Sequence, residues 1–378
     1  MAYTEQDIHF MQQALDLAWK AKGKTFPNPA VGAVVVTPGG SVVGKGATDV
    51  CGGPHAEKVA LKRAGAKARG ATMYVTLEPC SHFGRTSPCT GSIIKAGIKK
   101  VIMAVKDPNP LVKGRGVRQL KAEGIEVQTG LMRKEATDIN EDFFWAITRK
   151  SSWVTLKLAL TLDGRIADIH DNSKWITSAQ SRRFVQELRR CHAAIGVGKN
   201  TLHKDDPRLT ARTSKICYPA RIVFSPDAVI PPESYFFQHA HEARSIVVLR
   251  GGAEKSITRK GNMEFWHTGA VGKAESLKSF LRMAHDEGLT SVFIEGGQRL
   301  ASDFLEYDLV NKMYLFYGNK IVGRGREGLL FSEGMRIENC LSLEKISHTS
   351  LGKDVLISGY PIVEAGKEES GAKTALRR

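Results

Sequence analysis

Apolar positions along the 378-residue chain fall into two successive runs of short strand-like and helix-like segments. The first run opens with a helical pattern. Ile8, Met11, Leu15 and Ala18 share one face, and Thr4 with Asp7 forms a capping-box pair at its start. "FPNPAVGAVVV" then reads as a Pro-rich turn entering a strand, and a glycine turn leads to a second strand over 41–46. A helix is expected to open near Pro54, since proline suits a first helical turn. "ATMYVTL" and "KVIMAV" read as buried strands, separated by a polar loop and a helix over 90–96. A helix over 117–122 and the short strand "IEVQT" complete a unit that closes near Arg149. Strands alternating with helices predict a mostly parallel sheet covered on both faces.

The pattern restarts at Ser152. "WVTLKLALTLDGRIA" reads as a strand with its turn, and "SAQSRRFVQELRR" as a helix capped by Ser178. "AAIGVG", "ARIVF", "SIVVLR" and "SVFIE" read as strands, with a helix over 277–285 before the last of them. "GGQRLASDFL" is a glycine turn opening a helix, and "KMYLFYG" and "VLISGYPIV" are late strands. This is a second α/β domain. The expected boundaries are 1–148 and 149–363, with the small, charged stretch 364–378 expected to be a disordered tail.

Composition narrows the class. With 42% hydrophobic and 25% charged residues the chain reads as soluble and globular, and no apolar run is long enough to cross a bilayer. The first twenty residues lack the basic-then-apolar order of a signal peptide, so a cytoplasmic location with reduced thiols is expected. Six cysteines in no regular framework argue against a disulfide scaffold. A net charge of +16 suits nucleic acid, a phosphorylated metabolite or a dinucleotide, and does not choose among them.

Chemistry concentrates around "PHAE" and "LEPCSHFGRTSPC". His55 and Glu57 start a helix, where both side chains can point out of the open first turn. Cys80 and Cys89 each follow a proline and precede helical sequence, so helix N-termini can favour both thiolates. One histidine and two cysteines are the protein ligands of a catalytic zinc with its fourth position left to water. Glu57 stands where it can carry a proton. His-x-Glu followed by Pro-Cys is the pattern of zinc deaminases acting on amino-bearing ring carbons. The alternative is a structural zinc with Cys51 as fourth ligand, which would leave Glu57 without a role.

Generic deaminases space the second pair Cys-x-x-Cys, whereas eight residues intervene here. With "FPNPAVGAVVV", "PHAE" and "LEPC", this loop resembles the deaminase domain of the bifunctional riboflavin-biosynthesis deaminase-reductases, over residues 4 to about 145. The resemblance implies a three-layer α/β/α, cytidine-deaminase-like fold. It places zinc on His55, Cys80 and Cys89, the proton shuttle on Glu57, and pyrimidine or phosphate contacts on Asn28, His82 and Arg85.

In the second domain no G-x-G-x-x-G follows the first strand. Gly296 and Gly297 instead allow a close backbone approach before a helix whose free N–H groups can face an anion. Arg189 and Arg212 can hold a phosphate by paired hydrogen bonds, Lys157 and Asp163 suit structural roles equally well, and Asp205 is the first guess for a catalytic contribution. "KLALTLDGRIA", "SKWITSAQSRRFVQELRR" and "GKNTLHKDDPRLTAR" resemble the reductase half of the same enzymes, which is similar to dihydrofolate reductase in fold. The resemblance implies NADPH contacts at Ala159, Trp175, Thr201, Asp205, Ser225, Gly297, Gln298, Arg299, Leu300, Ala301, Ser302 and Asp303. It implies substrate contacts at Ser173, Arg189, Leu209, Arg212 and Glu295.

The expected function is therefore riboflavin biosynthesis. A zinc-dependent deamination of a phosphorylated diaminopyrimidine precedes NADPH-dependent reduction of its ribosyl chain, in a homo-oligomer without nucleic-acid or membrane partners. The alternative is a nucleic-acid-editing zinc deaminase with a C-terminal binding module. Aromatic residues make up only 7% of the chain, without the aromatic-basic interleaving a single-strand groove needs.

Overall fold

The computed structural model describes residues 3–81, 87–109, 113–252 and 254–363. His82, Arg85 and the tail expected at 364–378 lie outside the described residues. The chain divides into two compact units, one of residues 1–151 with 285–290 and one of residues 152–284 with 291–378.

In the first unit, helix α1 (Glu5–Ala21) starts with the expected capping box, Thr4 and Asp7 each accepting the other's backbone N–H. Its buried stripe is Phe10, Met11, Ala14, Leu15, Ala18 and Ala21. Ile8 is not part of it and stays 46% exposed. At 100° per residue Ile8 lies about 100° round the helix from the centre of that stripe, beyond the reach of the sheet. Strands β1 (Gly32–Val36) and β2 (Val42–Ala47) form a hairpin, followed by α2 (Ala56–Ala64) and β3 (Thr72–Leu77). Next come α3 (Cys89–Lys95), β4 (Lys100–Val105), α4 (Arg115–Ala122) and β5 (Glu126–Thr129). Helices α5 (Arg133–Ile139) and α6 (Glu141–Arg149), which the apolar pattern does not announce, close the unit.

The sheet order is β2-β1-β3-β4-β5. β1 runs antiparallel to both β2 and β3, while β3, β4 and β5 are parallel. The expectation of a mostly parallel sheet is thus corrected here: a short turn returns the chain from β1 to β2, which only an antiparallel pair permits. α1 packs on β1 and β3 beside α5, and α2 packs on β1 and β2 beside α3, giving three layers. α2 sits unusually close to β2, because a Cβ at Gly44 or Gly46 would fall 2.2 Å from the carbonyl of Ala60 or Ala56. That contact fixes the start of α2. The helix begins at Ala56 with His55 as N-cap, so Pro54 precedes the helix rather than occupying its first turn.

The second unit begins with β6 (Trp153–Leu160), β7 (Arg165–Ala167) and α7 (Ala179–Arg190), the last capped by the Ser178 side chain as expected. β8 (Ala194–Gly198), α8 (Lys199–Asp205), β9 (Ala211–Arg212), β10 (Ile216–Cys217) and β11 (Ala220–Ser225) follow. Then come α9 (Tyr235–Gln238), β12 (Ser245–Leu249), β13 (Lys255–Lys260), β14 (Met263–Thr268) and α10 (Lys273–Asp286). β15 (Ser291–Glu295), α11 (Gln298–Glu306), β16 (Lys312–Tyr317), β17 (Arg326–Glu327), β18 (Leu341–Leu351) and β19 (Asp354–Val363) complete it.

Ten of these strands form one sheet, β13-β14-β12-β11-β8-β15-β6-β16-β19-β18. Every junction from β14 to β16 is parallel, and the two ends are antiparallel. An open parallel sheet binds ligands outside the carboxyl ends of its strands, where the strand order reverses. That end carries the second site.

Candidate zinc centre and cofactor cavity

His55 caps α2 with extended backbone and makes no capping bond with its side chain, which leaves the ring free to turn toward the loop after β3. Its Nδ1 lies 3.5 Å from Cys80 Sγ and 3.3 Å from Cys89 Sγ. Cys89 is the first residue of α3, and its backbone N–H donates to Cys80 Sγ at 3.4 Å. Among the described residues these three form the only His/Cys/Asp/Glu group of metal-holding geometry, and Cys51 is not part of it.

Tetrahedral zinc, with Zn–S of about 2.3 Å and Zn–N of about 2.0–2.1 Å, requires an N···S separation of about 3.5 Å. The two observed separations meet that requirement. Three soft-to-borderline donors leave the fourth position for a non-protein ligand, which is the catalytic rather than the structural arrangement.

Glu57 is buried beside the trio, and the Cys89 thiol hydrogen-bonds to its carboxylate. Burial pushes the Glu57 carboxyl above the usual range, and the negative Cys80 adds to it. A hydrogen bond from the Cys89 thiol draws Cys80 down to about 4, with further support from His55 and the Cys89 N–H. Cys89 is correspondingly pushed up, first by its bond to Cys80 and then by burial. His55 is raised, chiefly by its bond to Cys80. The pocket is thus a set of groups sharing protons that a divalent cation can displace. Asn28 lies half-buried in the turn before β1, its backbone bonded to Thr25.

In the second unit a cavity of about 910 Å³ opens at the carboxyl ends of the parallel strands. Ten Lys/Arg against four Asp/Glu line it, a balance suited to an anionic ligand. Of the expected cofactor contacts, Ala159, Trp175, Thr201, Asp205 and Ser225 line it, as do Gly297, Gln298, Arg299, Leu300 and Asp303. Gly297 caps α11 and donates its N–H to Thr201 Oγ1 at 3.2 Å. The next N–H groups of α11 have no partner within the helix and are available to an anion. Trp175 is exposed and stacks under Arg182, 4.2 Å from the ring centre. Ala301 and Ser302 do not line the cavity. They are buried on the other face of α11, where Ser302 Oγ bonds Gln298 O and accepts the N–H of Leu330.

Of the expected substrate contacts, Ser173, Arg189, Leu209 and Glu295 line the cavity. Arg212 does not; it is exposed on β9 with Nη1 on Thr210 Oγ1. Arg189 also departs from its expected part as a phosphate fork. Its Nε and Nη2 grip both oxygens of Glu295, the latter at 3.0 Å, and Nη1 donates to Thr210 O. With each of its three nitrogens engaged, it fixes Glu295 and keeps no paired fork for a phosphate. Asp205 ends α8 exposed, which does not favour it as a proton donor.

Comparison with known proteins decides the family. Residues 152–357 match the RibD C-terminal domain, and residues 4–105 match the cytidine and deoxycytidylate deaminase zinc-binding region. The riboflavin biosynthesis protein RibD of Aquifex aeolicus is 44% identical over 360 residues, covering 93% of this chain and 98% of that one. The chain belongs to the RibD family. The RibD protein of Escherichia coli is 36% identical, covering 87% of this chain and 92% of its own.

Two solved family structures align over nearly their whole length. Acinetobacter baumannii RibD has a TM-score of 0.82 at 32% identity, covering 95% of this chain and 99% of that one. A Thermotoga maritima diaminohydroxyphosphoribosylaminopyrimidine deaminase/5-amino-6-(5-phosphoribosylamino)uracil reductase has a TM-score of 0.81 at 35% identity, covering 94% and 99%. The fold is the cytidine-deaminase-like and dihydrofolate-reductase-like pair that the family combines.

Two residues of the sites carry more than the sequence reading gave them. Glu78, inside the "LEPC" motif, is buried and accepts three backbone N–H groups, from Asp107, Gly114 and Val117. It ties the start of α4 to the strand end that carries Cys80. Lys157 on β6 lines the cavity 4.0 Å from Glu295, and burial lowers its pKa from the usual lysine value. The motif letters gave no signal for either role, because the partners are backbone groups or residues distant in sequence.

Proposed function

We propose that this chain performs two steps of riboflavin biosynthesis. Its first half, residues 1–148, removes the ring amino group of 2,5-diamino-6-ribosylamino-4(3H)-pyrimidinone 5′-phosphate by hydrolysis. Its second half, residues 149–363, reduces the ribosyl chain of the product to ribityl. The observation that carries this reading is a match to RibD over 93% of a chain whose own structure holds a His–Cys–Cys cluster beside a buried glutamate in one unit and a cationic cavity in the other.

In the deaminase half His55, Cys80 and Cys89 hold zinc, which when bound lowers the pKa of a coordinated water to about 7. Glu57 does the proton work. Its raised carboxyl takes the proton of the attacking water, gives it to the ring nitrogen, and then serves the departing amine, which leaves as ammonia. Asn28, His82 and Arg85 contact the pyrimidine and its phosphate.

In the reductase half NADPH supplies the hydride. The Gly297–Leu300 segment and Asp303 hold the cofactor with Ala159, Trp175, Thr201, Asp205 and Ser225, while Ala301 and Ser302 support the helix from behind. Ser173, Leu209 and Glu295 face the substrate, with Arg189 fixing Glu295 and Arg212 reaching in from the rim. The ribosyl ring first opens: C1–O4′ breaks, the N–H proton passes to O4′, and C1 becomes doubly bonded to that nitrogen. Hydride then adds to C1, and the nitrogen takes a proton. Lys157, half-buried 4.0 Å from Glu295 and held below the usual lysine pKa by desolvation, is placed to give it.

The chain works as a cytoplasmic homo-oligomer. No helix among the described residues is long and apolar enough to cross a membrane, and β18 offers a sheet edge to a second copy. The nucleic-acid-editing alternative is not favoured, since the family match and the second cavity account for both halves. Glu57→Gln tests the division of labour: ammonia release falls at least 1,000-fold, on the order of a lost proton shuttle, while reduction of the deaminated product continues at the wild-type rate. Ammonia release by the variant at the wild-type rate refutes the assignment.

A further inference from the structure

The cavity of the second unit has two ends. Lys157, Arg189 and Glu295 mark one, on β6 and β15; Ser225, Val248 and Arg250 mark the other, on β11 and β12. In the sheet order β12-β11-β8-β15, three strand spacings separate Glu295 from Arg250, about 14 Å. The N-terminus of α11 lies in the same cavity and offers N–H groups to a pyrophosphate. A dinucleotide with its reactive ring at the Glu295 end and its pyrophosphate at α11 extends its adenosine toward β11 and β12.

Three cations serve that far end: Lys199, Arg250 and Lys273. Lys199 is taken, its ammonium 2.7 Å from both oxygens of Asp227. Lys273 is taken as well, paired with Asp303 at 3.0 Å. Arg250 is exposed, lines the cavity, and has no ion-pair or hydrogen-bond partner among the described residues. Its backbone is held in place, since β12 pairs with β11 and β14 up to Leu249, and the following Gly251 donates to Ala270 O at 2.8 Å and accepts from Gly269. A fixed strand end thus carries a free guanidinium, whose planar fork matches a phosphate by two parallel hydrogen bonds.

We infer that Arg250 receives the 2′-phosphate of the adenosine ribose and is the group by which this chain prefers the phosphorylated nicotinamide dinucleotide. This rests on the reading of the cavity as a nicotinamide-dinucleotide site. It supplies a 2′-phosphate ligand that no sequence motif names, since no G-x-G-x-x-G follows the first strand of this unit. Lys199 and Lys273 act as supporting charges already neutralised by their own carboxylates.

The test is equilibrium binding of NADPH and of NADH to the full-length protein by isothermal titration, for wild type, Arg250→Gln, Lys199→Gln and Lys273→Gln. Arg250→Gln weakens NADPH binding about 10- to 100-fold, the loss of a charge-assisted pair of bonds, and leaves NADH binding within twofold. The two lysine variants change NADPH affinity less than Arg250→Gln does. An Arg250→Gln protein that keeps the wild-type ratio of NADPH to NADH affinity overturns the inference, as does a selective NADPH loss in a lysine variant that exceeds it. Wild-type protein that binds neither dinucleotide overturns the cofactor reading itself, and the inference with it.

Discussion

Replacing Glu78 with glutamine tests whether the loop that carries Cys80 is set by one buried carboxylate. Oε2 accepts from Asp107 N at 3.2 Å and Gly114 N at 3.0 Å, and Oε1 from Val117 N at 3.2 Å. A glutamine keeps one acceptor oxygen. Its better orientation leaves that oxygen on Asp107 and Gly114 and sets the amide NH2 against the N–H of Val117, donor facing donor. One buried N–H then lacks a partner, at about 1–3 kcal/mol, and the two remaining bonds lose their charge assistance, at roughly 0.5–1 kcal/mol each. The sum is about 3 kcal/mol. For a unit of this size that lowers the melting temperature of the first transition by roughly 6–12 °C.

The same change reaches the metal site. Gly116 approaches the strand end so closely that a Cβ there would lie 2.2 Å from Pro79 O, so loosening α4 releases the Pro79–Cys80 segment. Zinc affinity, measured by competition with a chromophoric chelator, falls together with the melting temperature in differential scanning calorimetry. A Glu78→Gln protein melting within about 2 °C of wild type and holding zinc equally well would show that Glu78 does not set the Cys80 loop.

Other consequences are as direct. Burial pushes the Glu295 carboxyl up, but the charge and hydrogen bonds of Arg189 outweigh it and hold its pKa below the usual glutamate value. A depressed folded-state pKa gives stability that is present above the unfolded value of about 4.5 and lost as pH falls through the folded one. Glu295→Gln is therefore less stable than wild type at pH 7 by about 3–5 kcal/mol, as expected for a broken buried pair, and the deficit in urea midpoint shrinks below pH 4; a deficit independent of pH contradicts the assignment. Asn140, buried, bonds both the N–H and the C=O of Ala30 at 2.8 Å and so holds the turn that bears Asn28. Asn140→Ala costs about 2–4 kcal/mol by leaving both backbone groups unpaired, read as a lower urea midpoint for the first unit. Free zinc at 100 times its Kd stabilises the first unit by about 2.7 kcal/mol, a shift that chelation reverses and that Cys80→Ser removes in calorimetry.

The zinc trio and Glu57 are legible in the sequence because each sits at the end of an element. His55 is an N-cap, Glu57 lies in the first turn of the helix it caps, Cys80 follows a strand, and Cys89 begins a helix. Short segments whose ends converge need little tertiary information to be read together. Arg189 shows the opposite case. Its partner Glu295 is 106 residues away, so the guanidinium looked free for a phosphate until the fold brought a carboxylate to it. The direction of β1 against β3 is likewise a tertiary fact, absent from the alternation of strand and helix. β13 and the middle of β18 were invisible for a simpler reason, since their side chains are exposed on both faces and carry no apolar pattern. Ile8 misled in the other direction: a hydrophobic residue at helical spacing is buried only if its angle falls within the face the sheet covers.

That one chain carries out two consecutive chemistries can be tested in a single cuvette. Wild-type, zinc-loaded protein is given the diaminopyrimidine ribosyl phosphate and NADPH, and ammonia release is followed beside NADPH oxidation. One NADPH is oxidised for each ammonia released, and both signals are lost in Glu57→Gln because the second step waits on the first. Ammonia release without NADPH oxidation, or neither signal from folded, zinc-loaded protein, contradicts it.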